Sequence, residues 1–268
     1  MPLAVCATPI GNLDDVTLRV LRELAEADAV LCEDTRRTRI LLDRHGVRAA
    51  RLVSYHAHNE AKRTAELLPR LEAGERLALV SDAGLPGVND PGARLVAAAL
   101  EAGLPVTVLP GASAVSTALV ASGLAGEQYR FLGYLPRGAP ALAALWEELR
   151  GWPHPAVCFE SPRRLPASLA SLAAAEPERA VAVCRELTKQ FEEVARGTAA
   201  DLAARFAEPP KGEITLVLGP APQARSDDAA ALAAVAELAA AGTPRRVAAD
   251  VVSRLTGVAR NRLYRSSL

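Results

Sequence analysis

Short apolar runs alternate with amphipathic stretches along this chain, and that alternation constrains its fold more than any other feature. Residues 3–7, 29–32, 51–54, 77–81 and 106–109 read as strands. Residues 16–27, 59–73 and 91–102 have helical spacing, and Gly74 and Gly103 close the last two. Asp14 or Asp15 stands where the first helix needs an N-cap. Strands alternating with helices predict an α/β domain with a mostly parallel sheet, whose ligands bind at the carboxyl ends of the strands.

The pattern restarts in the second half. Residues 130–133, 156–160, 180–185 and 213–219 read as strands, with helices at 139–149, 165–174 and 198–206. A second α/β domain follows, giving a division into residues 1–122 and 123–220. Residues 220–225 read as a linker, and Ser226 or Asp227 as the cap of an alanine-rich helix ending near Gly242. Residues 244–268 hold six arginines against a single acid, Asp250. They read as helices 245–255 and 259–265 around a short turn, a helix–turn–helix-like hairpin that completes a small helical, basic domain at 226–268.

Composition excludes several classes. Lysine plus arginine and aspartate plus glutamate both total 31, so the chain is not basic all over, although the tail is locally so. No apolar run approaches the roughly 20 residues that span a bilayer, and the N-terminus lacks a basic leader, so a soluble, cytoplasmic protein is expected. Cys6, Cys32, Cys158 and Cys184 lack metal-ligand spacing and read as small buried residues in a reducing compartment. No two glycines stand two apart, which excludes GxGxxG, and neither a Walker lysine loop nor HExxH is present. No metal is expected.

The loop Ser81-Asp82-Ala83-Gly84-Leu85-Pro86-Gly87-Val88-Asn89-Asp90-Pro91-Gly92 follows a buried strand and precedes a helix. Its glycines allow backbone to approach a ligand, its prolines stiffen it, and Asp82 and Asp90 suit an ammonium or sulfonium group. A surface loop rich in turn formers would read the same way. Thr8-Pro9-Ile10-Gly11-Asn12 and Pro110-Gly111-Ala112-Ser113-Ala114 converge on the same edge, the second opening a helix whose free N–H groups suit an anion. Lys211-Gly212-Glu213-Ile214-Thr215 opens a late strand.

These segments occur in order with Glu33-Asp34-Thr35-Arg36, Ser54-Tyr55-His56-Ala57-His58-Asn59-Glu60, Phe131-Leu132-Gly133-Tyr134-Leu135-Pro136, Phe159-Glu160-Ser161-Pro162-Arg163 and Arg185-Glu186-Leu187-Thr188-Lys189. Together they resemble the 16S ribosomal RNA cytidine 2′-O-methyltransferases of the RsmI type, across roughly residues 4–219. The resemblance implies a two-domain tetrapyrrole-methylase-like α/β fold with a small helical C-terminal domain, assembled as a homodimer. It implies S-adenosylmethionine in the cleft between the domains, against Pro9, Asp82, Ala83, Gly84, Val88, Ser113, Ala114, Phe159, Glu160, Leu187, Gly212, Glu213, Ile214 and Thr215. The implied substrate is a cytidine ribose in 16S rRNA or the small ribosomal subunit. Leu85 and Asn89 depart from the Thr and Ser expected of that family.

Methyl transfer to a ribose hydroxyl needs in-line alignment and calls for a base or an alkoxide-stabilising cation. Acids beside bases at strand ends nominate Asp34, Arg36, His56, Glu60, Glu186 and Lys189, each of which also reads as a helix cap, a solvated loop or a surface ion pair. Arg245, Arg246, Arg260, Arg262 and Arg265 are the RNA-binding candidates, with a solvated helical face or dimer contact as the alternative. Two other functions fit parts of the pattern, a methylase of a tetrapyrrole or other small molecule and a non-catalytic nucleic-acid-binding regulator.

Overall fold

The computed structural model describes residues 2–221 and 228–266. Strands β1 (Leu3–Cys6), β2 (Ala29–Cys32), β3 (Leu52–Ser54), β4 (Leu77–Val80) and β5 (Val106–Leu109) form one sheet in the order β3-β2-β4-β1-β5, with every pairing parallel. Successive residues on a strand face opposite sides. Leu3, Val5 and Leu31 therefore enter one buried cluster while Ala4, Cys6 and Val30 enter another. Both faces are covered, as parallel sheets require.

The connecting helices are α1 (Leu18–Glu26), α2 (Thr35–Arg44), α3 (Glu60–Glu72), α4 (Ala93–Glu101) and α5 (Ala114–Ser122). Asp14 and Asp15 do not cap α1. Asn12 folds them into a short 3₁₀ turn, and the Thr17 hydroxyl accepts from Val20 N–H to cap the helix. Helix α2 is an element that the sequence pattern does not predict. It buries Thr38, Leu41 and Leu42, and Asp34 caps it.

Strands β6 (Arg130–Tyr134), β7 (Ala156–Glu160), β8 (Ala180–Arg185), β9 (Glu193–Thr198) and β10 (Ile214–Leu218) form a second sheet, β6-β7-β10-β8-β9. Only β6 and β7 pair in parallel. Helices α6 (Ala139–Leu149), α7 (Leu165–Ala175) and α8 (Ala199–Arg205) cover it, and a Thr198–Asp201 capping box starts α8. Strand β9, also unpredicted by the pattern, pairs along β8 as an edge strand. The halves meet through α5, where Val115, Ala118 and Leu119 join Val157, Ala182 and Val217 of the second sheet in one cluster. Helices α9 (Asp228–Ala240), α10 (Arg245–Thr256) and α11 (Arg260–Ser266) pack on one another around Val235, Ala249, Val252 and Leu263. The expected linker beyond residue 221 and the cap at Ser226 or Asp227 lie outside the described residues.

Arg179 is fully buried. Its guanidinium donates to the carbonyls of Gly219 (2.8 Å) and Leu149 (3.0 Å) and to Glu176 (2.9 Å), tying the ends of α6 and β10 to the loop before β8. Arg179→Ala leaves a buried carboxylate and two buried carbonyls without these partners. Urea unfolding should show a loss of about 3–5 kcal/mol. A loss under about 1 kcal/mol would mean that water replaces the side chain freely.

Candidate functional site

The loop after β4 is fixed to the loop after β1 by a two-way backbone bridge. Thr8 N–H donates to Gly84 O (2.8 Å), and Gly84 N–H donates to Thr8 O (3.0 Å). The Thr8 hydroxyl adds a bond to Ser81 O (3.0 Å). Gly84 sits at φ 78°, a region open to glycine but rarely to other residues. Asp82 is anchored by the Asp34 N–H (3.1 Å) and the Arg37 guanidinium (3.2 Å). At the far end of the loop, Glu60 accepts from Gly92 N–H (2.9 Å) and from the Tyr55 hydroxyl (3.1 Å).

These loops wall a cavity of about 780 Å³ between the carboxyl edge of the first sheet and the second sheet. Thirteen of the fourteen residues nominated for the cofactor line it. They are Asp82, Ala83, Gly84, Val88, Ser113 and Ala114 from the first half, with Phe159, Glu160, Leu187, Gly212, Glu213, Ile214 and Thr215 from the second. Pro9 lines a smaller chamber of about 170 Å³ that shares Ile10, Arg37, Asp82, Ala83 and Glu213 with the cavity. Leu85 and Asn89 also line the cavity.

On the second-sheet side, Phe159 meets Phe131 and Tyr134 edge to face, at centroid distances of 5.2 and 5.5 Å. Glu160 is buried and accepts from Ser161 N–H and the Ser168 hydroxyl, both at 2.6 Å. Glu186 accepts from Glu213 N–H and Lys189 Nζ, each at 2.9 Å. Glu186 and Thr188 both hold positive φ, at 52° and 66°. Strain of this kind concentrates at functional sites.

The nominated catalytic residues are placed differently. Asp34 and Arg36 form a surface pair at 2.7 Å, and neither lines the cavity or the chamber. The Arg36 side chain bonded to Asp34 holds that carboxyl well below the usual carboxylate range. His56 lies off both spaces beside Asn59 (3.2 Å), and Glu60 is committed to the loop contacts above. Glu186 braces the 212–213 turn from behind. Of the six, only Lys189 faces a space, the smaller chamber.

Glu33, Arg37, Asp90 and Tyr134 also line the cavity; Asp90 is the loop carboxylate read from sequence as suited to a sulfonium, while the other three are not nominated as site residues. Burial, followed by the charge of Asp82, pushes the Glu33 carboxyl up. Burial and the charge of Glu33 push Asp90 up to about 6. Burial is the main cause of both shifts, and a cation brought to this wall would favour the ionised carboxylates. Among the described residues, no group of three or more potential ligands is arranged to hold a metal ion. The four cysteines are buried and unpaired, and burial pushes Cys6 up to about 12 and Cys184 to about 11, so they are poor nucleophiles.

Residues 2–203 match the family described as Tetrapyrrole (Corrin/Porphyrin) Methylases. The chain is 45% identical over 269 residues to the Ribosomal RNA small subunit methyltransferase I of Mesorhizobium japonicum, covering 99% of this chain and 91% of that one. It is 45% identical over 266 residues to the protein of the same name from Micromonospora olivasterospora, covering 98% and 85%. The fold is shared with a uroporphyrin-III C-methyltransferase of Thermus thermophilus solved with S-adenosyl homocysteine, at TM-score 0.57 and 19% identity, covering 81% and 96%.

Proposed function

The chain belongs to the ribosomal RNA small subunit methyltransferase I family of the tetrapyrrole methylases, and from that premise we propose that it methylates the ribose 2′-oxygen of a cytidine in 16S rRNA. It is an S-adenosylmethionine-dependent ribosomal RNA methyltransferase of the tetrapyrrole-methylase fold. One observation carries the reading of the site. The loops nominated for the cofactor, distant in sequence, converge on one cavity whose wall carries the carboxylates of Glu33, Asp82 and Asp90 with the single guanidinium of Arg37.

The carboxylates of Asp82, Glu33 and Asp90 and the backbone at Gly84 would hold S-adenosylmethionine, with Ser113, Phe159 and the 212–215 segment opposite. The cofactor supplies an electrophilic methyl group on a sulfonium. Asp90, rather than the six residues nominated as catalytic from sequence, accepts the proton of the attacking hydroxyl. Glu33 and Asp82 maintain the negative potential, and Tyr134 and Phe159 keep water from the cofactor cavity. The enzyme works in the cytoplasm as a homodimer.

The tail delivers RNA. Arg245, Arg246, Arg260 and Arg262 are exposed on α10 and α11, with Arg260 bridged to Asp250 at 3.4 Å. The Arg265 side chain lies outside the described residues. Changing Arg245, Arg246 and Arg262 together to glutamine should weaken RNA binding about tenfold or more. It should also flatten the salt dependence by about 0.7 in log–log slope for each phosphate that is no longer neutralised. Cofactor affinity should stay unchanged. Wild-type RNA affinity at low salt would make the tail a structural cap.

A tetrapyrrole methylase and a non-catalytic regulator are separated from this reading by one assay. Labelled S-adenosylmethionine is offered with small ribosomal subunits, naked ribosomal RNA and tetrapyrroles in parallel. Label in small-subunit RNA supports the proposal. Label in a tetrapyrrole alone, or no label in any acceptor, overturns it.

A further inference from the structure

We propose that the smaller chamber beside the cofactor cavity is the acceptor subsite, where one unstacked pyrimidine ribonucleotide of the RNA is held. The proposal rests on the function given above. Its position comes first. The chamber and the cavity share the wall formed by Ile10, Arg37, Asp82, Ala83 and Glu213, so a ribose at that divide reaches both spaces.

The lining matches a nucleotide in kind. Arg37 and Lys189 donate, Asp82 and Glu213 accept, and Ile40 and Leu41 on α2 offer an apolar wall. A cytosine edge carries an amino donor, which Asp or Glu accepts, and acceptors that a cation satisfies. A tetrapyrrole bearing acidic side chains would instead need unopposed cations and a broader space. Here both cations are matched by carboxylates, Arg37 with Asp82 (3.2 Å) and Lys189 with Glu186 and Glu213 (2.9 Å each). Ile40 is 59% exposed, an apolar side chain at the chamber placed to meet the face of a base.

The chamber is also built by both halves of the molecule at a tight junction. Asn12 N–H donates to the Thr188 hydroxyl (2.9 Å), docking the loop after β1 on the 186–189 turn. A Cβ at Gly11 would lie 2.6 Å from Lys189 Cγ and 2.7 Å from Thr188 Oγ1, so only glycine lets the two approach. The same turn holds the positive φ values at Glu186 and Thr188. The junction carries Lys189 into the lining of the chamber that Arg37 also lines.

The test fills the chamber without touching the cofactor wall. Ile40→Trp is compared with the wild type and with Glu72→Trp, a control on the exposed end of α3. Methyl transfer to small ribosomal subunits gives KM for RNA, and calorimetry gives the Kd of S-adenosyl homocysteine. Ile40→Trp should raise KM for RNA at least tenfold with the S-adenosyl homocysteine Kd within twofold of wild type, and Glu72→Trp should change neither. Lys189→Met should also raise KM for RNA more than it changes that Kd. If wild type labels small-subunit RNA and Ile40→Trp does so with unchanged KM, the chamber is not the acceptor subsite while the function stands. If wild type labels no RNA, the function fails and the subsite assignment falls with it.

Discussion

Gly212→Ala should weaken binding of S-adenosyl homocysteine at least tenfold and lower stability by about 1–3 kcal/mol. Gly212 holds φ 99°, and a Cβ there would sit 2.4 Å from Glu186 Cγ and 2.6 Å from Glu186 Cδ. Glu186 cannot move aside without releasing the Glu213 N–H and the Lys189 ammonium. Residues 212–215 form one wall of the cavity, so displacement there is displacement of the site. Gly74→Ala is the matched control. Gly74 holds φ 91° with nothing within 4 Å of its Cβ position, so it suffers backbone strain alone and should leave binding intact. Equal affinities for the two variants would show that the Glu186 brace does not shape the cofactor wall.

Asp90→Asn should lower kcat about 10²–10⁴-fold and abolish an acid limb near 6 in the pH profile of kcat/KM for S-adenosylmethionine, which reports the free enzyme. The direction follows from burial and from the charge of Glu33, which together push the carboxyl up to about 6. Only above that pH is Asp90 a base, so activity rises as pH rises through the limb. Glu33 is raised by the same surroundings, so the limb belongs to the pair. Stability carries a second signature. In the free enzyme the folded state holds this proton more tightly than the unfolded chain, so stability falls as pH rises from about 4 to 6. Asp90→Asn should therefore stabilise the cofactor-free enzyme at neutral pH, and the gain should fade on acidification. An acid limb retained in the variant would assign the base elsewhere.

The first sheet was legible because strands buried on both faces read as continuous apolar runs, and β1, β2 and β4 are buried at every position. The loop after β4 could be read as a site because its turn formers sit at a strand's carboxyl end. Helix α2 was hidden by four arginines in ten residues, which mask the buried Thr38, Leu41 and Leu42. Strand β9 was hidden because it lies at a sheet edge and fully buries only Ala195. Five of the six catalytic candidates lie off the cavity and the chamber for a different reason. Spacing says that acids cluster at a strand end, not which way each one turns. Glu33 faces the cavity while its neighbour Asp34 turns away to cap α2. Glu60 is drawn off by Gly92, 32 positions along the chain, a pairing that no local pattern encodes. Asp90 was legible in the loop as a carboxylate suited to a sulfonium, and the strand end after Cys32 was the available signal for Glu33.

The proposed function makes the cleft between the two sheets a site for methylating a ribose hydroxyl, and the nucleoside product reports on that directly. Small ribosomal subunits methylated by the enzyme with labelled S-adenosylmethionine are digested to nucleosides and resolved by mass spectrometry. Label in 2′-O-methylcytidine alone, with an initial rate at limiting RNA at least tenfold lower in Ile40→Trp and about 10²-fold or more lower in Asp90→Asn, is the expected result. Label on a base, or transfer to a tetrapyrrole with none to RNA, would contradict it.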